Sequence, residues 1–136
     1  MERYERNIRS CGRWNMLDPK ERHVDILQIL KIIVCLATVA TGLLALFKPD
    51  LAYGFIGLTP SGVRGVSEIR SIFGGLFIAL GLVPLFLGAT AFRMLGIAYL
   101  AIAVARAFSI IFDKSYDQSN WISLVIEIVC GIILVI

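Results

Sequence analysis

The chain is poor in the residues from which catalytic and metal sites are usually assembled. His23 is the one histidine, and no second metal-ligand residue stands at useful spacing from it. There are three cysteines and no Cys-x-x-Cys pair. Cys35 and Cys130 fall inside apolar runs and Cys11 lies near the start, so neither a disulfide framework nor a structural zinc site is expected. The first two read as small buried hydrophobes. Charge is also scarce, at 17% of residues, against about 25% in soluble domains. The net charge of +3 is small and its cations are mixed with acids, which argues against a nucleic-acid partner. Nothing calls for a cofactor.

What is abundant is apolar. Hydrophobic residues make up 58% of 136, where about 45–50% is usual. Disordered chains are apolar-poor, so disorder is excluded. A small water-soluble body cannot hide such an excess, because surface-to-volume scaling works against it. The composition fits lipid, with the bilayer as the chain's first partner.

The charges are unevenly spread. Eleven of the 23 lie within residues 1–25, and the other 111 residues carry twelve. This gives a short polar, basic tail (1–25) and a membrane domain (26–136). The tail's cations set orientation, or meet anionic headgroups at roughly 1 kcal/mol each.

Four apolar runs follow, at about 26–47, 68–87, 92–112 and 121–136. The first is 22 residues, interrupted by Gln28 and Lys31. At about 33 Å it is long enough to cross the hydrocarbon, and Lys31 can snorkel from near its start. Lys48-Pro49-Asp50 stops it. A signal peptide fits poorly, since the preceding tail is long and mixed in charge and no small-residue cleavage site follows. Residues 51–67, broken by glycines and Pro60 but rich in Tyr53, Phe55 and Ile56, are expected to form a short interfacial segment. Thr59-Pro60 reads as an N-cap followed by a first-turn proline, so a helix is expected to start at Pro60. Pro84 is expected to kink the end of the second run, and Gly88-Ala89-Thr90 to form a tight turn. The fourth run has 16 residues, and at about 24 Å it is short for a span. Tight packing, local thinning or an interfacial end would accommodate it.

The expected fold is therefore an all-α membrane protein, four transmembrane helices in an up-down antiparallel bundle. Eight Lys/Arg on the N-terminal side against three on the other (Lys48, Arg64, Lys114) place both termini in the cytoplasm of an inner membrane. Small residues four apart mark one face of three spans: Ala37-Thr41-Ala45, Ser71-Gly75-Ala79 with Gly74 adjoining, and Ala101-Ala105-Ser109. Close helix packing within the chain is the plain reading, and a homo-oligomer or membrane-complex contact the alternative.

Charges inside spans are the strongest functional clue. Arg106 lies six residues before Phe112, and Glu127 six after Trp121. In an antiparallel pair both sit about 9 Å below the same interface, where an ion pair is expected. Glu68 and Arg70 begin the second span at the same side, giving a neutral four-charge cluster. Tyr99, Ala103 and Arg106 share a stripe, so the Tyr99 hydroxyl is expected to face that cluster. Arg70 stands about 200° around the helix from Glu68 and points elsewhere. The cluster reads first as a polar lock of helix register. Its alternatives are a site for a lipid headgroup or small amphiphile, and a proton or ion pathway, which would need carboxylates at more depths. For catalysis, no carboxylate has a partner that would make a nucleophile or general base.

One pattern resembles a known group. Gly57-Leu58-Thr59-Pro60 precedes Glu68-Ile69-Arg70, which leads into Gly74-Gly75, with Arg106 in the third span and Glu127 in the fourth. This resembles a family of small bacterial four-helix membrane proteins known only as a domain of unknown function. The resemblance covers residues 26–136 and implies a four-helix membrane fold and no activity. The expected role is a structural or accessory membrane component, not an enzyme.

Overall fold

The computed structural model describes residues 19–136, with side chains described from Ile26 onward except at 55 and 56. Residues 1–18 of the expected tail lie outside the described residues. Among the described residues the regular structure is α-helical apart from one π-helical segment, with short loops between. In order it forms α1 (Pro19–Phe47), α2 (Pro49–Ile56), α3 (Gly62–Glu68), the π-helical segment Ile69–Leu76, α4 (Phe77–Leu87), α5 (Ala89–Phe112) and α6 (Gln118–Val135). Four stretches are long and apolar enough to cross a membrane: Ile26–Phe47, Gly62–Leu87, Ala89–Phe112 and Gln118–Val135. At most 28% of any of them is buried within the chain. The outward surface is therefore itself apolar, carrying Ile33, Phe86, Val104, Ile111 and Val129 among others. This is a multi-pass membrane protein, with lipid as the solvent of its outer face.

Contacts fix the directions of the helices. Gly74 of the second span meets Leu46 of α1, and Gly81 meets Cys35 and Val39, so rising numbers on one run against falling numbers on the other. Gly96 of α5 likewise meets Gly131, Leu134 and Val135 of α6. Both pairs are antiparallel hairpins. Lys31 lies over the Phe92 ring at 6.0 Å, and Thr38 meets Tyr99, so α1 and α5 run in the same direction. The hairpins join through a core of Val34, Cys35, Phe92, Leu95 and Leu134, with Leu80, Tyr99, Cys130 and Ile133 packed around it. That core lies toward the end marked by Gly88. Toward the opposite end, marked by the 113–117 loop, the segment Ile69–Leu76 packs on α1 but makes little contact with α5 or α6.

Glycine sets the separation inside each hairpin. A Cβ on Gly81 would stand 2.7 Å from the Cys35 carbonyl oxygen, and one on Gly96 2.9 Å from that of Gly131. Backbones this close exclude any side chain between them.

Several local expectations change. The interfacial stretch is helical at first: Pro49 opens α2 with Asp50 in its first turn, as the fixed φ of proline and the helix dipole favour. Ala52 tucks beneath it at 3% exposure. The next helix begins after Pro60, because Gly62 takes φ 74° and a left-handed residue interrupts a right-handed turn. Pro60 instead lies against Gly65. The second span starts six residues earlier than Glu68, with its π-helical segment unforeseen. The Gly88-Ala89-Thr90 turn shrinks to one residue. Gly88 takes φ 72°, ψ −147°, a region open essentially to glycine alone, and α5 starts at Ala89. The fourth helix begins three residues before Trp121 and has 18 residues, or about 27 Å, close to the hydrocarbon thickness.

Candidate functional site

The loop 113–117 is short, so α5 and α6 lie side by side from their shared end, and their facing side chains come into register. Arg106 Nε donates to both Glu127 Oε1 and Oε2 at 2.9 Å. Its Nη2 donates to Oε1 at 2.7 Å. The two side chains keep 30% and 11% of their exposure, so the pair is largely withdrawn from solvent. Arg106 Nη1 donates to Asn120 Oδ1 at 3.2 Å. Asn120 Nδ2 donates in turn to the Ser115 hydroxyl at 2.6 Å and the Ser115 carbonyl at 3.2 Å. A continuous polar chain thus runs from Glu127 through Arg106 and Asn120 to the loop. Every member is bonded, as a charge in low dielectric requires.

Asn120 was not foreseen as a member. The signal was present, because it stands seven residues before Glu127, two turns along the same helix face. Its position near the helix start made it read as loop.

The other expected members stand elsewhere. Glu68 pairs with Arg64 at 4.0 Å, with the side chains 58% and 92% exposed, as neighbours one turn apart on a surface. Arg70 is exposed. Neither joins Arg106 and Glu127, because the second span leaves α5 and α6 toward this end. The four expected charges separate into a buried pair (Arg106 and Glu127), a glutamate that pairs with Arg64 on the surface, and an exposed Arg70. Tyr99 is half-buried and meets Thr38 Oγ1 at 2.7 Å. The Thr38 hydroxyl already donates to the Val34 carbonyl at 2.8 Å, so the Tyr99 O–H is the donor. Tyr99 thus links α5 to α1 two turns away from Arg106.

The small-residue faces also divide. Ala45 and Gly74 are buried and Thr41 and Ser109 half-buried, but Ala37, Ser71, Gly75, Ala79, Ala101 and Ala105 are exposed. Within the chain, close approach is made by Gly42, Gly74 and Gly81 in one hairpin and Gly96 and Gly131 in the other. The spacing-of-four signal marks a face, and it was the glycines beside those faces that pack.

A cleft of about 270 Å³ opens beside the pair, lined by Ile102, Ala105, Arg106, Ser109 and Asn120. At its edge the Ser109 hydroxyl donates to Asp113 Oδ2 at 2.7 Å. Among the described residues, no group of histidines, cysteines or carboxylates is arranged to hold a metal ion.

A family model described as a domain of unknown function (DUF4345) matches residues 26–136. The chain belongs to that family. The match takes in all four spans, and with them both Arg106 and Glu127. No curated protein and no solved structure matches the chain. Membership in the DUF4345 family thus agrees with the four-helix membrane architecture and carries no activity with it.

Proposed function

We propose that the protein is a non-catalytic structural or accessory component of the inner membrane, and that its polar chain is a register lock for the α5–α6 hairpin. The observation that carries this is closure. Glu127, Arg106, Asn120 and Ser115 bond to one another in sequence, and no buried side-chain polar atom among the described residues lacks a partner. A catalytic group needs a free lone pair or proton aimed at a substrate, and here the Glu127 carboxylate is engaged by Arg106. An ion pathway would want titratable groups at successive depths. Glu127 is the one buried carboxylate among the described residues. The excess of Lys and Arg on the N-terminal side supports cytoplasmic termini.

A locked hairpin presents an unchanging lipid-facing surface, which is what a fixed partner needs. The test is native mass spectrometry of the gently extracted protein. Wild type should emerge with a protein partner or second copy at fixed stoichiometry, and Glu127→Ala should lose it. A lone wild-type chain would refute the accessory role.

A further inference from the structure

The lock leaves part of Arg106 unused. A guanidinium has five N–H donors. Glu127 and Asn120 engage the one on Nε, one on Nη2 and one on Nη1. One N–H on each terminal nitrogen remains, on a side chain that is 30% exposed and lines the cleft. Free N–H donors on a planar cation can each donate to an oxygen of a phosphate.

The rest of the cleft narrows the choice of phosphate. Arg106, Ser109 and Asp113 follow one another along one side of α5, from about 9 Å below its end up to the end itself. Asp113 is exposed and has no cationic partner within ion-pair distance among the described residues. Below the cleft Ala101 and Ala105 are exposed, flanked on the same helix by the exposed Ile97, Ile102, Val104 and Phe108, an apolar surface on which an acyl chain can lie. Counting the adjoining loop, Arg106 and Lys114 stand against Glu127, Asp113 and Asp117, a net charge of −1 that disfavours an anionic headgroup. A headgroup with phosphate inward and ammonium outward meets complementary charge at both levels.

We propose that this cleft binds a zwitterionic phospholipid of the ethanolamine type. Its phosphate oxygens accept from the two remaining Arg106 N–H groups, its ammonium donates to Asp113, and one acyl chain lies along Ala101 and Ala105. The site leaves the Arg106–Glu127 contacts closed. It can therefore fail while the register lock stands, since the lock is tested separately by the coupling of those two residues.

The test is lipid titration of the purified full-length protein by native mass spectrometry, with phosphatidylethanolamine, phosphatidylcholine and phosphatidylglycerol offered in parallel. The ethanolamine lipid should be retained about tenfold better than the other two, the worth of one charge-assisted hydrogen bond. Ala105→Phe fills the cleft, and Asp113→Asn removes the ammonium's acceptor charge. Each should lower ethanolamine-lipid retention about tenfold. Should Ala105→Phe disturb folding, Asp113→Asn carries the test, because Asp113 is exposed beyond the end of the helix. Equal retention of the three lipids, preference for the glycerol lipid, or unchanged retention by Asp113→Asn or by a folded Ala105→Phe would each overturn the proposal.

Discussion

Removing one partner of the Arg106–Glu127 pair should destabilise the protein far more than removing the second partner afterwards. Glu127→Ala takes away three of the four hydrogen bonds made by the guanidinium and leaves the 3.2 Å contact to Asn120. Arginine cannot shed its charge, so the cation stays largely buried and almost unpaired. Breaking a buried pair in this way costs about 3–5 kcal/mol. Arg106→Ala leaves the Glu127 carboxylate, at 11% exposure, with no cation, and frees Asn120 Oδ1 as well. It should cost a similar amount. The double variant leaves no unpaired charge, and its loss should fall short of the sum of the singles by about 2 kcal/mol or more. Glu127→Gln sharpens the cycle, because it keeps an acceptor for Arg106 while deleting the charge, and should fall between wild type and Glu127→Ala. The assay is reversible unfolding in bicelles or mild detergent, followed by Trp121, which stands at the α6 end of the network. Additivity of the singles within about 0.5 kcal/mol would mean that the two side chains do not act as one unit. The register-lock reasoning would then be refuted.

Helix packing and topology give two further tests. Gly96→Val forces its branches against Gly131 and Leu134, where even a Cβ would stand 2.9 Å away. It should cost about 1–3 kcal/mol in the same unfolding assay, whereas Gly75→Ala, with nothing within 4 Å, should be tolerated and stabilise by up to about 1 kcal/mol through helix propensity. A single cysteine at position 116, in a chain whose own cysteines are replaced by alanine, should react with an impermeant maleimide from the outer side of whole cells. Labelling from the cytoplasmic side alone would reverse the proposed orientation.

The four spans were legible because the bilayer reads out length and polarity, both of which the sequence carries directly. Arg106 and Glu127 were legible for a related reason. Each stands six residues from an expected span end, Phe112 and Trp121, which puts them at similar depth, and burial then demands that they pair. Glu68 and Arg70 share that depth, yet depth says nothing about lateral separation. The second span parts from α5 toward this end, and that follows from where the large core residues Phe92, Leu95 and Leu134 sit rather than from any local pattern. The helix start at Pro60 was misread because the backbone of Gly62 decides it, and a φ of 74° leaves no trace beyond the glycine itself. The small-residue faces were visible as periodicity, but any helix face is equally periodic whether it meets a neighbour or lipid.

The location of the polar chain follows from this uneven core. Near Gly88 the two hairpins support each other through Val34, Cys35, Phe92, Leu95 and Leu134. Toward the 113–117 loop that mutual support fades, and the α5–α6 hairpin must hold itself together. Apolar packing is a weak clamp there, because lipid tails offer Ile111 or Val125 as good an environment as another helix does. A hydrogen-bonded ion pair has no such competitor in the hydrocarbon, since lipid tails donate and accept nothing. The sequence therefore places Arg106, Glu127 and Asn120 in the half of the hairpin that has no neighbour, and glycine contacts in the half that has one. The cleft beside Arg106 opens in that same half of the hairpin.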